Sequence, residues 1–283
     1  MTRTEVLPLA DVLTLHPLLP MAWRAGWTAG RFLRDERPTS LTVDTKSSPS
    51  DAVTVMDRTA EALISADLLG ARPDDGLLGE EGGERLGTSG VRWVVDPLDG
   101  TVNYLFRLPM WGVSIAAEES GVVTVGVVVT PEFDEAFIGV RGQGAWHVTG
   151  SRARRLQVSE CDDLSAALVT TGFGYDSAMR RAQSGVVTEL ITGIRDVRRL
   201  GAAVVDFCWL ALGRVDAYYE VGLNAWDYAA GALIAQEAGA VVTGLHDDDF
   251  SEFILAAAPG IATGLRDRLV ALRADDVRGR SGN

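Results

Sequence analysis

Cysteine is almost absent. Cys161 and Cys208 are the only two in 283 residues, too few for a disulfide framework or a structural zinc site. Histidine is nearly as scarce, and His16, His147 and His246 share no metal-ligand spacing, which argues against zinc or phosphohistidine chemistry. No apolar run approaches the ~18 residues of a membrane span. Glu5 and Asp11 stand where a secretory signal would carry basic residues ahead of an unbroken apolar core. A soluble cytoplasmic protein with no membrane partner is therefore expected. Positive charge is also short: 26 Lys+Arg face 39 Asp+Glu, a formal charge of −13. That balance argues against nucleic-acid binding through a basic footprint, because phosphate neutralisation needs clustered Lys and Arg. No Gly-Lys-Ser/Thr loop exists, and Gly142-Gln143-Gly144 lacks the further glycine and following helix of a dinucleotide fingerprint.

Lysine is the oddest shortage: Lys46 is the only one, and every other basic residue is arginine. A compact point charge differs from a planar fork. The lone lysine either marks a place where arginine does not fit or survives by chance.

What is present is ordinary globular composition, 47% apolar and 23% charged, in a chain long enough for one large domain or two fused ones. Leu19, Ala22, Trp23, Trp27 and Leu33 share one face of a helix over 18–37. Gly26 and Gly30 lie on that face and point to a close approach by another element. A second helix, about 55–69, carries Ala60, Leu63, Ile64 and Leu68. Strand-like runs follow at Val91–Val95, Trp111–Ala117, Val122–Val129 and Ala136–Val140. From about 150 short strands alternate with helices near 178–193, 202–212, 226–238 and 261–272. The expected class is α/β, an α+β first part (1–150) followed by an α/β second part (151–283).

The densest carboxylates lie in Gly79-Glu80-Glu81-Gly82-Gly83 and in Asp96-Pro97-Leu98-Asp99-Gly100-Thr101. Asp96 stands where the strand Val91–Val95 is expected to end at Pro97, and Gly100 permits a tight reversal. Two aspartates around such a corner can point into one pocket. With the Leu98 carbonyl they suit a hard cation such as Mg²⁺, and the amides of Gly100 and Thr101 suit an anion. Asp-Pro and Asp-Gly are also common turn dipeptides. A third piece lies far downstream, where Tyr219-Glu220-Val221-Gly222 leads through Asn224 to Trp226-Asp227 at a helix start. An aspartate there could be merely a cap. Cys208 to Arg214 spells the Cys-x5-Arg phosphatase loop, but its bulky apolar interior reads as a core helix. Asp247-Asp248-Asp249 reads as an exposed loop.

With Lys46-Ser47-Ser48-Pro49 and Gly201-Ala202-Ala203, these segments resemble, in order, the inositol monophosphatase family of magnesium-dependent, lithium-sensitive sugar phosphatases, and its bacterial members most closely. The resemblance implies a layered αβαβα sandwich and hydrolysis of a phosphate monoester of a polyol, most closely inositol 1-phosphate. It implies two or three Mg²⁺ ions: the first on Glu80, Asp96 and the Leu98 carbonyl, a second on Asp96, Asp99 and Asp227, a weaker third on Glu80 through water. Thr101, paired with Asp57, and Glu80 would orient the attacking water, with Lys46 as the nearby basic residue. Gly100 and Thr101 would hold the phosphate. Glu220 and the Gly201-Ala202-Ala203 turn would contact sugar hydroxyls, and Asp99 and Asp227 would join the substrate-binding set. A homodimer is implied as well. Phe106 and Asn224 depart from the family pattern, the second near the presumed ring contacts. Histidinol-phosphate phosphatase, fructose-1,6-bisphosphatase and bisphosphate nucleotidase share the metal residues. A macromolecule-binding protein on the same fold is the alternative of a different class.

Overall fold

A computed structural model describes residues 5–39, 43–45, 52–247 and 249–276. In chain order the first elements are β1 (Val6–Pro8), α1 (Leu9–Val12), α2 (Leu19–Asp35), β2 (Val43–Thr45), β3 (Ala52–Thr54), α3 (Val55–Ala71), β4 (Gly76–Gly79) and β5 (Gly83–Arg85). Next come β6 (Val91–Asp99), α4 (Thr101–Leu105), β7 (Gly112–Glu119), β8 (Val122–Thr130), β9 (Glu135–Val140), β10 (Gly144–Thr149) and β11 (Arg152–Arg155). The remainder are β12 (Leu168–Thr171), α5 (Ser177–Leu190), β13 (Asp196–Arg198), α6 (Ala203–Ala211), β14 (Ala217–Val221), α7 (Ala225–Glu237), β15 (Val241–Thr243), β16 (Phe253–Ala257) and α8 (Pro259–Ala271).

Strand alternation sorts side chains into separate apolar layers. Trp93 and Val95 of β6, Ile115 of β7 and Val127 of β8 face one core, whereas Val94, Ala116 and Val128 face a second. These strands belong to a nine-stranded sheet in the order β1-β11-β10-β9-β8-β7-β6-β4-β5, antiparallel except for β4 beside β6. The other main sheet runs β13-β12-β14-β16-β15. In it Tyr218, Ile254 and Ala256 face the second core, and Tyr219, Phe253 and Leu255 face a third. Helices α2 and α3 cover the outer face of the large sheet, α6 and α7 lie between the two sheets, and α5 and α8 cover the far side. The result is the expected layered αβαβα sandwich.

Close approach explains several glycines. A Cβ on Gly30 would lie 2.8 Å from the Pro131 side chain, so bare helix backbone lets α2 press onto the side chains below it, and one on Gly126 would lie 2.7 Å from the Ala230 carbonyl oxygen, so α7 settles onto bare sheet backbone. That space narrows the centre of the expected face of α2. Leu19, Ala22 and Leu33 are buried, but Ala25, Gly26, Ala29 and Gly30 complete the stripe. Trp23 and Trp27 stay half-buried at its margin because an indole does not fit beneath a helix that close to the sheet. On α3 the apolar face also buries two acids, Asp57 and Glu61.

The strand carrying the aspartates does not end at Pro97. β6 continues to Asp99 through a register shift: Asp96 pairs with Ser114 but Asp99 pairs with Gly112, so three steps on β6 match two on β7. In an unbroken ladder residues 96 and 99 would point to opposite faces. The extra residue returns Asp99 to the face of Asp96, and Pro97, which has no N–H to donate, is tolerated within the bulge.

Candidate active site

The bulge opens onto a cavity of about 400 Å³ at one end of the layer between the sheets. Glu80 reaches it from the turn after β4, where its amide donates to Val95 O at 3.3 Å. Asp96, Leu98 and Asp99 come from the bulge, Gly100 and Thr101 from the start of α4, Gly201, Ala202 and Ala203 from the start of α6, Glu220 from β14 and Asp227 from the first turn of α7. Asp57 stands behind this lining. Its Oδ1 accepts the Thr101 hydroxyl at 3.0 Å, and its Oδ2 accepts the Thr54 hydroxyl and amide at 2.5 and 2.8 Å. Lys46 lies outside the described residues. Asn224 lines the cavity, whereas Phe106 is exposed away from it.

Three of the carboxylates are each tethered through one oxygen to a backbone amide. Asp96 accepts from Leu98 N–H at 2.9 Å, Asp99 from Val204 N–H at 2.7 Å and Asp227 from Asn224 N–H at 2.6 Å. The capping role foreseen for Asp227 is therefore real, and the same carboxylate also lines the cavity. Burial pushes the Asp96 and Asp99 carboxyls well above the usual range, and repulsion from Glu80, Asp99 and Asp227 adds to it at Asp96, from Asp227 at Asp99. Burial likewise raises Asp227 to about 7. Such acids are a poor end in themselves, since like charges out of water repel strongly.

A hard divalent cation fits this donor set: carboxylate oxygens from three chain segments and the Leu98 carbonyl, around one cavity. Among the described residues no three acidic side chains are already drawn into a tight coordination shell. Seven carboxylates and one guanidinium, Arg199, line the cavity among the described residues. An anionic substrate would be repelled from such a wall without bound cations.

Sequence reasoning missed several residues here. The Tyr218 hydroxyl donates to Glu220 Oε2 at 2.6 Å, and Gly172 leaves room for that carboxylate, since a Cβ there would lie 1.9 Å from it. Burial raises the Glu220 carboxyl, an effect that the Tyr218 hydrogen bond opposes. Asp206 lines the cavity from α6, and burial pushes its carboxyl well up. Asn103 of α4, next to the lining residues Gly100 and Thr101, ties two loops together, its Nδ2 donating to Met110 O at 2.6 Å and Leu200 O at 2.8 Å. Glu61 on α3 accepts amides from the Glu80 turn. The readable signal was an acid on an apolar helical stripe. The remaining motifs are elsewhere. Cys208 is buried in α6 with its thiol pushed up by burial. His16, His147 and His246 sit beside Glu119, Glu135 and Asp275. Asp247 and Asp249 are exposed.

Comparison with known proteins places the chain among well-defined relatives. The model of the inositol monophosphatase family matches residues 14–278. The inositol-1-monophosphatase of Mycobacterium bovis is 43% identical over 228 residues, 78% of each chain. The Nus factor SuhB of Pasteurella multocida is 38% identical over 275 residues, 93% of this chain and 100% of that protein. The crystal structure of the extragenic suppressor protein suhB of Bartonella henselae superposes with a TM-score of 0.84 at 35% identity, covering 90% of this chain and 98% of that one.

Proposed function

This chain belongs to the inositol monophosphatase family, and from that premise we propose that it hydrolyses a phosphate monoester of a polyol, inositol 1-phosphate foremost, to the alcohol and inorganic phosphate with Mg²⁺. The observation that carries the reading is the acidic cavity itself, lined by Glu80, Asp96, Asp99 and Asp227 together with Glu220. Glu80, Asp96 and the Leu98 carbonyl would hold one ion, Asp96, Asp99 and Asp227 a second, and Glu80 a weaker third through water. Bound Mg²⁺ would supply Lewis acidity for displacement at phosphorus and neutralise the phosphoryl oxygens.

The chain's own residues do the rest. Thr101 donates its hydroxyl proton to Asp57, so the hydroxyl oxygen is left to accept from the attacking water and fix its approach. The amides of Gly100 and Thr101 receive phosphate oxygens. Glu220, held from behind by Tyr218, accepts a hydroxyl proton of the polyol. The turn Gly201-Ala202-Ala203 offers small residues against the ring, and Lys46 provides the single lysine charge. In this reading residues 1–150 bring most metal ligands and 151–283 bring Glu220 and Asp227, and the protein acts as a cytoplasmic homodimer.

Phosphate release tests it, measured with and without Mg²⁺ on inositol 1-phosphate, histidinol phosphate, fructose 1,6-bisphosphate and 3′-phosphoadenosine 5′-phosphate. Preferential Mg²⁺-dependent release from inositol 1-phosphate, inhibited by Li⁺, is expected. Preference for another substrate moves the enzyme to a sister activity, and silence on all four refutes the hydrolase reading. A second reading, a role like that carried in the name of the Pasteurella relative, is favoured by likeness over that protein's whole length. A binding partner retained by Asp99→Asn, which should lack turnover, would separate that role from hydrolysis.

A further inference from the structure

Asp57, Glu61, Ile64 and Leu68 share the buried face of α3. Only 6% of Glu61 is exposed, and a carboxylate taken that far from water needs compensating donors. Two consecutive amides of the Glu80 turn provide them: Glu81 N–H donates to Glu61 Oε2 at 2.8 Å and Gly82 N–H to Oε1 at 2.6 Å. The glycines around Glu80 are shaped to this carboxylate. A Cβ on Gly79 would fall 2.6 Å from it, and one on Gly82 would fall 2.6 Å from Oε1. Gly79-Glu80-Glu81-Gly82 is thus a cradle for a side chain that lies in another element.

We propose that Glu61 is the positioning residue that fixes Glu80 for cation binding; the inference rests on the metal reading above. Glu80 is bracketed. Its own amide donates to Val95 O on β6, and the next two amides donate to Glu61 on α3. Without the second anchor the turn loses two hydrogen bonds and Glu80 is held on its β6 side alone. One helical turn earlier Asp57 holds the Thr101 hydroxyl. The same rigid helix therefore sets both the Glu80 turn and Thr101, and so the spacing between a proposed ligand and the residue that would orient the water.

The test is calorimetric titration of Mg²⁺ into the full chain, with no substrate present. Glu61→Gln keeps one acceptor but turns an NH₂ toward an amide N–H, so the two amides cannot both be satisfied. Gly82→Ala keeps every charge and displaces the carboxylate from its partly exposed side. In both, Mg²⁺ affinity is expected to fall about 10- to 100-fold, as when a ligand's supporting partner is removed. The Mg²⁺ concentration for half-maximal phosphate release should rise in step, with kcat at saturating Mg²⁺ largely kept. Wild-type affinity in either folded variant overturns the proposal; should Glu61→Gln fail to fold, Gly82→Ala alone decides. A fall in kcat without a change in Mg²⁺ affinity overturns it too. Absence of Mg²⁺ binding by the wild type would instead overturn the metal reading, and this proposal with it.

Discussion

Replacing Tyr218 with Phe deletes one hydroxyl from a fully buried ring and leaves its edge-on packing against Phe207 in place. That hydroxyl donates to Glu220 Oε2 at 2.6 Å, and Glu220 is the residue proposed to accept from the substrate's polyol. A hydrogen bond to a charged group contributes about 1.5–3 kcal/mol. Part of that would be lost as rotational freedom of Glu220 beside Gly172, part as a harder ionisation, because burial already raises its carboxyl and the tyrosine opposes the rise. If about 1.4 kcal/mol of it reaches the substrate contact, KM for inositol 1-phosphate rises about tenfold with little change in kcat. The acidic limb of kcat/KM should also move to higher pH, since the accepting carboxylate is ionised only above its raised pKa. A simple aryl phosphate, which has no polyol, is the control and should be nearly unaffected. Steady-state kinetics on both substrates across pH 5–9 measures this. Equal losses on the two substrates, or none on either, would remove Glu220 from polyol recognition.

Asp96→Asn should lower turnover by orders of magnitude yet raise the melting temperature in chelator at alkaline pH, where the wild-type carboxyl, pushed well up by burial and by Glu80, Asp99 and Asp227, has to ionise while an Asn oxygen can still accept from Leu98 N–H; a lower chelator melting point there counts against the repulsion. Without divalent ions, stability should fall as pH rises from about 4 to about 7. Between the unfolded value of Asp227, 3.8, and its folded value of about 7, the folded state keeps a proton that the unfolded state has released. The loss is of order a few kcal/mol, and melting curves across that window should show it, with Mg²⁺ flattening the slope; a flat profile in chelator refutes it. Gly30→Ala should destabilise by about 1–3 kcal/mol, since its Cβ would lie 2.8 Å from Pro131; an unchanged denaturation midpoint would show that α2 can shift away from the sheet.

Composition, strand alternation and helical periodicity were sufficient to mark most elements, because burial acts on each strand and helix locally and leaves a period of two or of 3.6. The separated motifs Gly79-Glu80-Glu81, Asp96-Pro97-Leu98-Asp99-Gly100-Thr101 and Trp226-Asp227 were legible for the same reason: each is a short run whose chemistry is carried by adjacent residues. Their convergence was not. Alternation alone sends Asp96 and Asp99 to opposite faces, and only the shift of β6 against β7 returns them to one side. The stripe of α2 is centred on Ala25, Gly26, Ala29 and Gly30 with Trp23 and Trp27 packed at its margin, because the space beneath a helix is set by what it meets. Glu61 and Tyr218 look like an isolated acid and a strand tyrosine until α3 reaches the Glu80 turn and β14 presents Glu220 between the sheets. Residue identity and local period were thus written in the chain, whereas the pairing register and the partners of buried polar groups depend on contacts between segments far apart in sequence, and only the tertiary structure decided them.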